Sequence, residues 1–355
     1  MPALYSMIAP ALRCIDPERA HRLALWALKA GLAGRREHSD PMLNVRLWGL
    51  AFPNPVGIAA GFDKNAEVVA PALRLGCGFL EVGGVTPKPQ AGNPKPRLFR
   101  LTADRAVINR MGFNNDGLDV IAGRLKHRRR NTAPVGVNLG KNKESTDAPA
   151  DYAALAEGLA PHADFLVINV SSPNTPGLRA LQNIEPLRDI VRATRAARDR
   201  AVVAAPPPLL LKIAPDLEAA DLKDIVALAL GEGLDGLVIS NTTLSRPASL
   251  TSQHRAEAGG LSGAPLFELS TRMLSEAYAL AGGKLPLIGV GGIASGAQAY
   301  AKIRAGASLV QLYSALVYEG PGLIGRITRD LAALLKRDGF TSVTDAVGAD
   351  HRSAK

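Results

Sequence analysis

The sequence is poor in the residues that build disulfides, metal sites and nucleic-acid stacking surfaces. Its two cysteines, Cys14 and Cys77, lie in apolar contexts and form no motif, so we expect reduced thiols in a reducing compartment. The six histidines have no ligand spacing with the cysteines or with one another, and aromatic residues make up only 5% of the chain. These scarcities predict that the protein has no metal site and no nucleic-acid partner.

Long apolar runs are also missing. No run reaches the length of a membrane span, and the N-terminus lacks the pattern of a secretory signal, so we expect a soluble or peripheral protein. What the chain does have is an ordinary globular composition: 355 residues, of which 47% are hydrophobic and 21% charged. Its formal charge of +10 indicates affinity for anions, which include nucleic acid, anionic membranes and phosphorylated or carboxylated small molecules.

After Pro53 the chain alternates between apolar runs suited to buried strands and segments with helical periodicity. The predicted strands are 54–61, 78–85, 134–140, 165–171, 208–214, 236–242, 286–292 and 308–314. The predicted helices are 64–76, 115–130, 150–162, 183–200, 217–231, 268–281, 295–305 and 322–337. Eight such units predict an α/β fold, a closed parallel (β/α)8 TIM barrel. An open doubly wound sheet is the alternative, but no G-x-G-x-x-G motif opens a helix here.

Two predicted connections are long, residues 86–114 after the second strand and residues 243–267 after the sixth. In a barrel of this kind, the loops that follow the strands gather at the catalytic face. We therefore expect a lid over a deep pocket.

The first 38 residues differ from the rest. Asp16 is a good N-cap and Pro17 suits the first helical position, which predicts a second short helix after an apolar first one. The segment carries six basic and three acidic residues and an apolar face with Trp26 at its side. Two interpretations stand equal: docking onto a membrane surface, or covering one end of the barrel.

Residues 165–179 read Phe-Leu-Val-Ile-Asn-Val-Ser-Ser-Pro-Asn-Thr-Pro-Gly-Leu-Arg, an apolar run that stops abruptly in small polar groups. The run suits a strand buried on both faces, and Pro173, Pro176 and Gly177 prevent its continuation. In isolation, such a polar string is more often simple turn chemistry. At the carboxyl end of a barrel strand it becomes a candidate for catalysis.

Other predicted strands also end in unusual residues. These are Ala60-Gly61-Phe62-Asp63-Lys64, Asn138, Lys212 and Ser240-Asn241-Thr242, joined by the loop segment Asn109-Arg110-Met111-Gly112-Phe113-Asn114-Asn115. A neutral amide donates and accepts hydrogen bonds at once, so many amides at one mouth favour a planar polar heterocycle as ligand. Each amide taken singly is explained equally well as a cap or turn.

A phosphate site is indicated after the seventh and eighth strands. Residues 289–293 read Gly-Val-Gly-Gly-Ile just before Ser295 caps a helix, and Tyr313 and Ser314 end the eighth strand. Exposed backbone N–H groups at these places form the common phosphate site of barrels, and Gly263 could approach the same phosphate. A flat ring with one phosphate fits, which makes flavin mononucleotide the obvious candidate.

Lys212 stands in an apolar run, where a lysine is costly to bury unless an anion meets it. It could face the electron-rich edge of a reduced flavin. It could equally be the Schiff-base lysine of a barrel aldolase, activated by burial. A basic barrel that only binds membranes, without a flavin, is the alternative outside enzymes.

Taken together, these motifs resemble the class 2, quinone-dependent dihydroorotate dehydrogenase family of pyrimidine synthesis. The resemblance runs from residue 16 to about residue 320, and its carriers are segments 54–64, 85–90, 108–114, 169–177 and 289–293. Class 1 enzymes are similar in fold but place a cysteine where the base stands. No cysteine lies near the serine loop here, which favours class 2.

The resemblance implies that FMN oxidises dihydroorotate to orotate and that Ser172 takes the proton from carbon 5 while carbon 6 delivers hydride to flavin nitrogen 5. Lys64 is expected to hold the substrate carboxylate. Further substrate contacts are expected from Asn109, Arg110, Met111, Gly112, Phe113, Asn169, Asn174, Asn241 and Thr242. Flavin contacts are expected from Ala60, Gly61, Phe62, Asp63, Lys64, Thr86, Asn138, Asn169, Lys212, Ser240, Gly263, Gly292, Tyr313 and Ser314.

The resemblance also implies that the N-terminal helices form the mouth of a quinone tunnel, with His21, Arg100 and Tyr313 along it. This favours membrane docking for residues 1–38, ahead of a flavin-binding barrel at 39–340 and a tail at 341–355. Because no transit peptide or anchor helix is evident, the chain is similar to bacterial members. We expect a peripheral protein on the cytoplasmic face of the inner membrane that passes electrons to a membrane quinone.

Overall fold

The computed structural model describes residues 2–33, 40–129 and 133–352, apart from the side chains of residues 2–4, 6, 7 and 13. The strands are β1 (Val45–Leu47), β2 (Leu50–Phe52), β3 (Val56–Ile58), β4 (Phe79–Val85), β5 (Leu98–Leu101), β6 (Ala106–Asn109), β7 (Val135–Leu139), β8 (Phe165–Asn169), β9 (Leu209–Ile213), β10 (Gly236–Ile239), β11 (Gly260–Gly263), β12 (Leu287–Val290) and β13 (Ala307–Leu312). The helices are α1 (Pro2–Cys14), α2 (Pro17–Lys29), α3 (Val69–Leu73), α4 (Leu118–Lys126), α5 (Ala148–Leu159), α6 (Ile184–Ala201), α7 (Ala219–Gly231), α8 (Phe267–Leu280), α9 (Gly296–Arg304), α10 (Ser314–Glu319), α11 (Leu323–Arg337) and α12 (Ala349–Arg352).

Eight of the described strands close into a parallel barrel, in the order β3, β4, β7, β8, β9, β10, β12, β13 and back to β3. Every residue of β8 and β9 is buried, because helices cover the outer face and side chains fill the interior. The register sets Asn169 beside Lys212 and Val310 beside Val56. The predicted (β/α)8 TIM barrel is confirmed. Seven predicted strands each contain one of these eight, and the last, 308–314, overlaps β13, which begins one residue earlier at Ala307.

Aromatic rings fill the N-terminal end of the barrel. The ring centroids of Phe79 and Phe165 lie 6.1 Å apart, and Phe52, from the β1–β2 hairpin, packs on Phe79 at 5.6 Å. Two glycines make the room: a Cβ at Gly57 would lie 2.5 Å from the Phe79 ring, and a Cβ at Gly136 would overlap the Phe165 ring. Since this end is packed with side chains, ligands reach the interior from the opposite end, where the strands finish.

Two predicted helices are much shorter than the periodicity indicates. The predicted helix 64–76 is helical only at α3, because the buried Asp63 carboxylate accepts hydrogen bonds of 2.8 Å from the backbone N–H groups of Glu67 and Val68 and holds an irregular turn. The predicted helix 115–130 begins only at Leu118. Gly117, with a φ of 84°, precedes it, and the Asn115 side chain accepts from the Gly117 N–H.

The two long connections are structured, which the sequence did not predict. The connection after β4 folds into the antiparallel hairpin of β5 and β6, and β11, from the connection after β10, pairs antiparallel with β6. The result is a three-stranded sheet beside the barrel with its own apolar cluster, which includes Phe99, Ile108 and Leu261. The two connections therefore hold each other in place.

The N-terminal helices attach to this sheet. As predicted, Asp16 caps α2, accepting from the Arg19 N–H at 2.9 Å, and Pro17 is the first helical residue. Glu18 then forms an ion pair of 2.7 Å with Arg97, next to β5. Within the described residues, no helix is both long enough and apolar enough to cross a membrane.

The predicted C-terminal tail packs on the barrel over most of its described length. Val343 and Ala346 are buried in the main core. Gly348 has a φ of 67° and leaves no room for a Cβ against the Tyr278 ring, and the His351 ring packs on Tyr278 at a tilt of 42°, with centroids 4.9 Å apart. Residues 343–352 thus continue the barrel's packing.

Candidate active site

A cavity of about 720 Å³ opens at the carboxyl ends of the barrel strands and extends outward between the barrel and helices α1 and α2. It gathers residues from all eight predicted strands and from the loop after the second. The predicted site residues that line it are Ala60, Gly61, Phe62, Lys64, Asn109, Met111, Gly112, Phe113, Asn138, Asn169, Ser172, Asn174, Lys212, Ser240, Asn241, Thr242, Gly263, Gly292, Tyr313, Ser314, His21 and Arg100.

Three residues predicted to contact ligands do not line this cavity. Asp63 is fully buried, where it orders the turn before α3, and burial raises the pKa of its carboxyl group. The Thr86 hydroxyl donates to the Lys88 carbonyl at 2.7 Å. The Arg110 guanidinium pairs with Glu257 at 2.8 Å and lies over the Phe99 ring, so it ties the sheet to the connection after β10.

Ser172 follows β8 on a loop that the rest of the mouth holds in place. The residue is 8% exposed, and its Oγ accepts a hydrogen bond of 3.3 Å from the Asn174 N–H. Arg179, further along the same loop, donates to the Ser171 carbonyl at 3.2 Å and to the Thr242 carbonyl at 2.8 Å. The loop that bears Ser172 is therefore fixed against the segment that follows β10.

Amide side chains converge around Ser172. Asn174 Nδ2 donates to Asn109 Oδ1 at 3.1 Å, which joins the serine loop to the end of β6. On the barrel side, Asn241 Nδ2 donates to Ser171 Oγ at 3.0 Å, and Asn241 Oδ1 accepts from the Thr242 N–H at 2.7 Å. The predicted convergence of amides at one mouth is confirmed by these contacts.

Two lysines bring positive charge into the cavity. Lys64 Nζ donates to the Gly61 carbonyl at 3.0 Å, and burial lowers the pKa of its ammonium group to about 8. Lys212, on β9, is buried at the mouth, and its Nζ makes no hydrogen bond or ion pair with the residues that the structure describes. An anionic or electron-rich ligand group would satisfy both lysines.

At one end of the cavity, glycine turns present backbone atoms instead of side chains. Gly291 and Gly292 have φ angles of 115° and 75°, and a Cβ at Gly292 would lie 2.5 Å from the Cβ of Phe267. Gly263, with a φ of 93°, ends β11 nearby. The Ser314 and Ser262 hydroxyls share a hydrogen bond of 2.8 Å. Glycine turns and small hydroxyls lining one end are typical of a phosphate site.

The outer part of the cavity is apolar and begins at an aromatic cluster. The His21 ring lies 5.8 Å from the Phe62 ring and 6.0 Å from the Tyr313 ring, and Tyr313 Oη is 3.5 Å from His21 Nδ1. Burial lowers the pKa of His21 to about 4 and raises the pKa of Tyr313. Beyond the cluster, the lining residues of α1 and α2 include Tyr5, Ile8, Ala9, Leu12, Ala20, Ala24, Ala27 and Leu28.

A match over most of the chain decides its family. Residues 42–335 match the family model described as dihydroorotate dehydrogenase. The chain belongs to the dihydroorotate dehydrogenase family. It is 60% identical to the dihydroorotate dehydrogenase (quinone) of Rhodospirillum rubrum, over 99% of this chain and 96% of the relative. It is 54% identical to the mitochondrial dihydroorotate dehydrogenase (quinone) of Oryza sativa subsp. japonica, over 98% of this chain and 80% of the relative.

A solved structure of the same family has the same fold. The crystal structure of DHODH from Eimeria tenella in complex with ferulenol superposes with a TM-score of 0.91 at 44% identity, covering 95% of this chain and 96% of that one. The ligand-free structure from the same organism gives a TM-score of 0.90 at 45% identity, covering 95% of this chain and all of that one. The resemblance to quinone-dependent members of the dihydroorotate dehydrogenase family is confirmed.

Some residues that shape the site were not predicted from the sequence. Arg179 was seen only as the end of the serine stretch, although it holds both sides of the mouth. Glu81 was hidden within a predicted apolar strand, although its carboxylate lies inside the barrel and accepts hydrogen bonds from Asn138 and Gln311. A charge inside a run that is otherwise apolar was the signal that could have found it.

Proposed function

We propose that the chain oxidises dihydroorotate to orotate with FMN and passes the electrons to a membrane quinone, within de novo pyrimidine biosynthesis. One observation carries the proposal: a single cavity joins Ser172, Lys64 and the amides to an apolar corridor under α1 and α2. Membership of the dihydroorotate dehydrogenase family and the similarity to relatives named as quinone enzymes support it.

The residues present fit a flavin mononucleotide. The glycine turns at Gly263 and Gly291–Gly292 leave backbone exposed for a phosphate, and Lys212 is buried without a protein partner among the described residues. Residues Ala60, Gly61, Asn138, Ser240, Tyr313 and Ser314 line the space between them. When bound there, the flavin supplies the two-electron oxidation.

The chain's own residues bind and orient the substrate and move one proton. The Lys64 ammonium pairs with the substrate carboxylate, and Asn109, Asn174 and Asn241 hydrogen-bond its ring, whose N–H and C=O groups need partners of both kinds. The Ser172 hydroxyl takes the proton from carbon 5 and passes it on, since serine is a weak base by itself.

The apolar corridor gives quinone a path from a membrane to the cofactor. At its outer end, Ile8 of α1 and Leu32, just after α2, are exposed, and α2 also exposes Leu23 and Trp26, of which Trp26 is 62% exposed. An apolar face with basic neighbours binds the boundary of an anionic bilayer without crossing it. The protein is thus a peripheral membrane protein, which we place on the cytoplasmic face of a bacterial inner membrane.

An anaerobic flavin experiment tests this function. The purified protein should be yellow with about one FMN per chain, dihydroorotate should bleach the flavin, and a ubiquinone analogue should restore its colour. Dihydrouracil, which lacks the carboxylate that Lys64 would bind, is the matched control and should bleach it far more slowly. A protein that cannot be loaded with FMN, or whose flavin stays oxidised with dihydroorotate, would refute the proposal.

A further inference from the structure

Glu81 is a fully buried acidic side chain beneath the proposed flavin and substrate site. It projects from β4 into the barrel and is 0% exposed. One carboxylate oxygen accepts from Asn138 Nδ2 at 2.6 Å and the other accepts from Gln311 Nε2 at 2.6 Å. No lysine, arginine or histidine among the described residues forms an ion pair with it. Within the part of the chain that the structure describes, the side-chain hydrogen bonds that it accepts therefore come from neutral amides.

These contacts fix the direction of a row of amides, which we define as Asn138, Asn169 and Asn241. A carboxylate only accepts hydrogen bonds, so Asn138 must turn its NH₂ group toward Glu81. Its Oδ1 then faces the next amide, where it accepts from Asn169 Nδ2 at 2.8 Å.

The orientation of Asn138 in turn fixes the orientation of Asn169, the next amide of the row. Because Asn169 donates to Asn138, its own Oδ1 faces the serine loop, where it accepts from Ser171 Oγ at 2.8 Å and from Asn241 Nδ2 at 3.3 Å. Asn169 Oδ1 also accepts from the Ser171 backbone N–H at 3.2 Å, a donor that cannot be reversed. The Glu81 carboxylate at one end of the row and this backbone N–H at the other therefore favour the same orientation of the amides.

We infer that Glu81 is a positioning residue, which together with the Ser171 N–H holds the donor and acceptor pattern that the amide row presents to the ligand ring. All three amides line the cavity with Ser172, which follows Ser171 directly. A ligand ring with fixed N–H and C=O groups pairs donors with acceptors in one orientation of the amide row. In the reversed orientation, donors would face donors and acceptors would face acceptors. This inference rests on the proposed function, because that function supplies the ring.

One substitution separates the effect of the orientation of the amides from the effect of the negative charge of Glu81. In Glu81→Gln, the new amide oxygen accepts from Asn138, and the new NH₂ group needs an acceptor. Gln311 provides it by turning over, since Gln311 Oε1 is buried and has no partner among the described residues. The row keeps its direction although the charge is gone.

Two other substitutions remove the hydrogen-bond acceptor that orients Asn138. Glu81→Leu takes away both acceptors, and Glu81→Ala leaves room for water, which hydrogen-bonds Asn138 in either sense. The second variant avoids an unpaired buried amide and tests the same point if the first fails to fold. Gln311→Leu is the matched control, because it disturbs the same carboxylate while leaving the contact between Glu81 and Asn138 in place.

The experiment measures orotate affinity from the flavin difference spectrum, with FMN content and thermal midpoint recorded for every variant. We expect Glu81→Gln and Gln311→Leu to bind orotate within about threefold of wild type, and Glu81→Leu and Glu81→Ala to bind it about 10-fold to 100-fold more weakly at full FMN content. In an Asn138→Ala background, Glu81→Ala should add less than about twofold.

Equal losses in Glu81→Gln and Glu81→Ala would overturn the inference, because charge would then be the cause. Unchanged affinity in Glu81→Ala, or losses that add fully to those of Asn138→Ala, would also overturn it. The wild-type titration tests the proposed function separately: if wild type binds FMN and orotate, these outcomes concern Glu81 alone.

Discussion

At the scale of single residues, the proposed chemistry depends most on Ser172. Its hydroxyl lies in the mouth beside Asn174, on a loop that Arg179 holds. We expect Ser172→Ala to slow flavin reduction by dihydroorotate about 100-fold or more, because a positioned proton acceptor is worth that much. Anaerobic stopped-flow absorbance measures the rate.

Ser172→Cys provides the matched comparison for this prediction. A thiol in the same place can still accept the proton, so this variant should reduce its flavin faster than Ser172→Ala and show a changed pH dependence. FMN content and orotate affinity should stay near wild type in both variants. Equal rates in wild type and Ser172→Ala would remove this serine from the role of base.

Lys64 gives the site a pH limit. Burial lowers the pKa of its ammonium group to about 8 in the free protein. The charge that binds a carboxylate is therefore present below about pH 8 and is lost as the pH rises through that value. We expect the Kd for orotate to rise toward about 10-fold per pH unit above pH 8. Lys64→Met should bind orotate weakly and without this dependence. A wild-type Kd that stays constant up to pH 9.5 would contradict the assignment.

At the scale of elements, Lys302 couples α9 to α8. It is fully buried, and its Nζ donates to Ser270 Oγ at 2.8 Å and to Thr271 Oγ1 at 3.0 Å. Burial lowers the pKa of Lys302 from 10.5 to about 7. The unfolded chain therefore binds more protons than the folded one between these values, so the unfolding free energy rises with pH across that window.

The expected slope is at most about 1.4 kcal/mol per pH unit for one such group. Urea unfolding of wild type and Lys302→Met, compared at pH 7 and pH 9 with equal flavin content, measures it as the pH-dependent difference between the two proteins. Lys223→Met, at an exposed position on α7, is the control and should follow wild type. Parallel pH profiles for wild type and Lys302→Met would contradict the linkage.

The exposed face of α2 should bind the membrane. We expect the double substitution Leu23→Gln and Trp26→Gln to weaken binding to anionic vesicles about 10-fold or more, because two apolar side chains lose their burial in lipid. Flavin reduction by dihydroorotate should not change. Val203→Gln is the control, since Val203 is 85% exposed but lies before β9, at the closed end of the barrel. If Val203→Gln weakened vesicle binding equally, the location of the apolar side chains on α2 would not be the cause, and the prediction would be wrong.

The elements also show where sequence reasoning succeeds and fails. The barrel strands were predictable because buried parallel strands are continuous apolar runs, as in β8, and Asp16 and Pro17 marked the start of α2. The predicted helix 64–76 failed because Asp63 makes local hydrogen bonds that no periodicity shows. The pairing of β11 with β6 joins residues about 150 positions apart, which local patterns do not encode.

For the site too, features set by local sequence were predictable, whereas contacts between residues distant in sequence were not. Motifs at the ends of strands placed Ser172, Lys64 and the amides correctly in one cavity, because the topology brings those ends together. Arg110 lies within such a motif, yet its side chain turns to Glu257, a partner that only the folded chain brings near. Similarity over 99% of the chain shows that it belongs to the dihydroorotate dehydrogenase family, whereas the contact of Lys212 with a flavin stays a prediction.

At the scale of the whole molecule, one end of the barrel is closed and the other serves two reactions. Phe52, Phe79 and Phe165 fill the closed end. At the open end, the substrate groups lie under the β5–β6–β11 sheet, while the apolar corridor runs under α1 and α2. The proposed cofactor lies between these two approaches, so the two half-reactions should respond separately to changes in each.

Filling the corridor tests this separation. Ala20 and Ala24 line it from α2, and we expect Ala20→Phe and Ala24→Phe to slow the reoxidation of the flavin by a ubiquinone analogue about 10-fold or more, since the added rings would occupy the open space that the quinone has to cross. Bleaching by dihydroorotate should remain within about twofold of wild type. Ala30→Phe, at an exposed position at the end of the same helix and outside the cavity lining, is the control. If both half-reactions slow together in the corridor variants, substrate and quinone share one approach and the proposed separation is wrong.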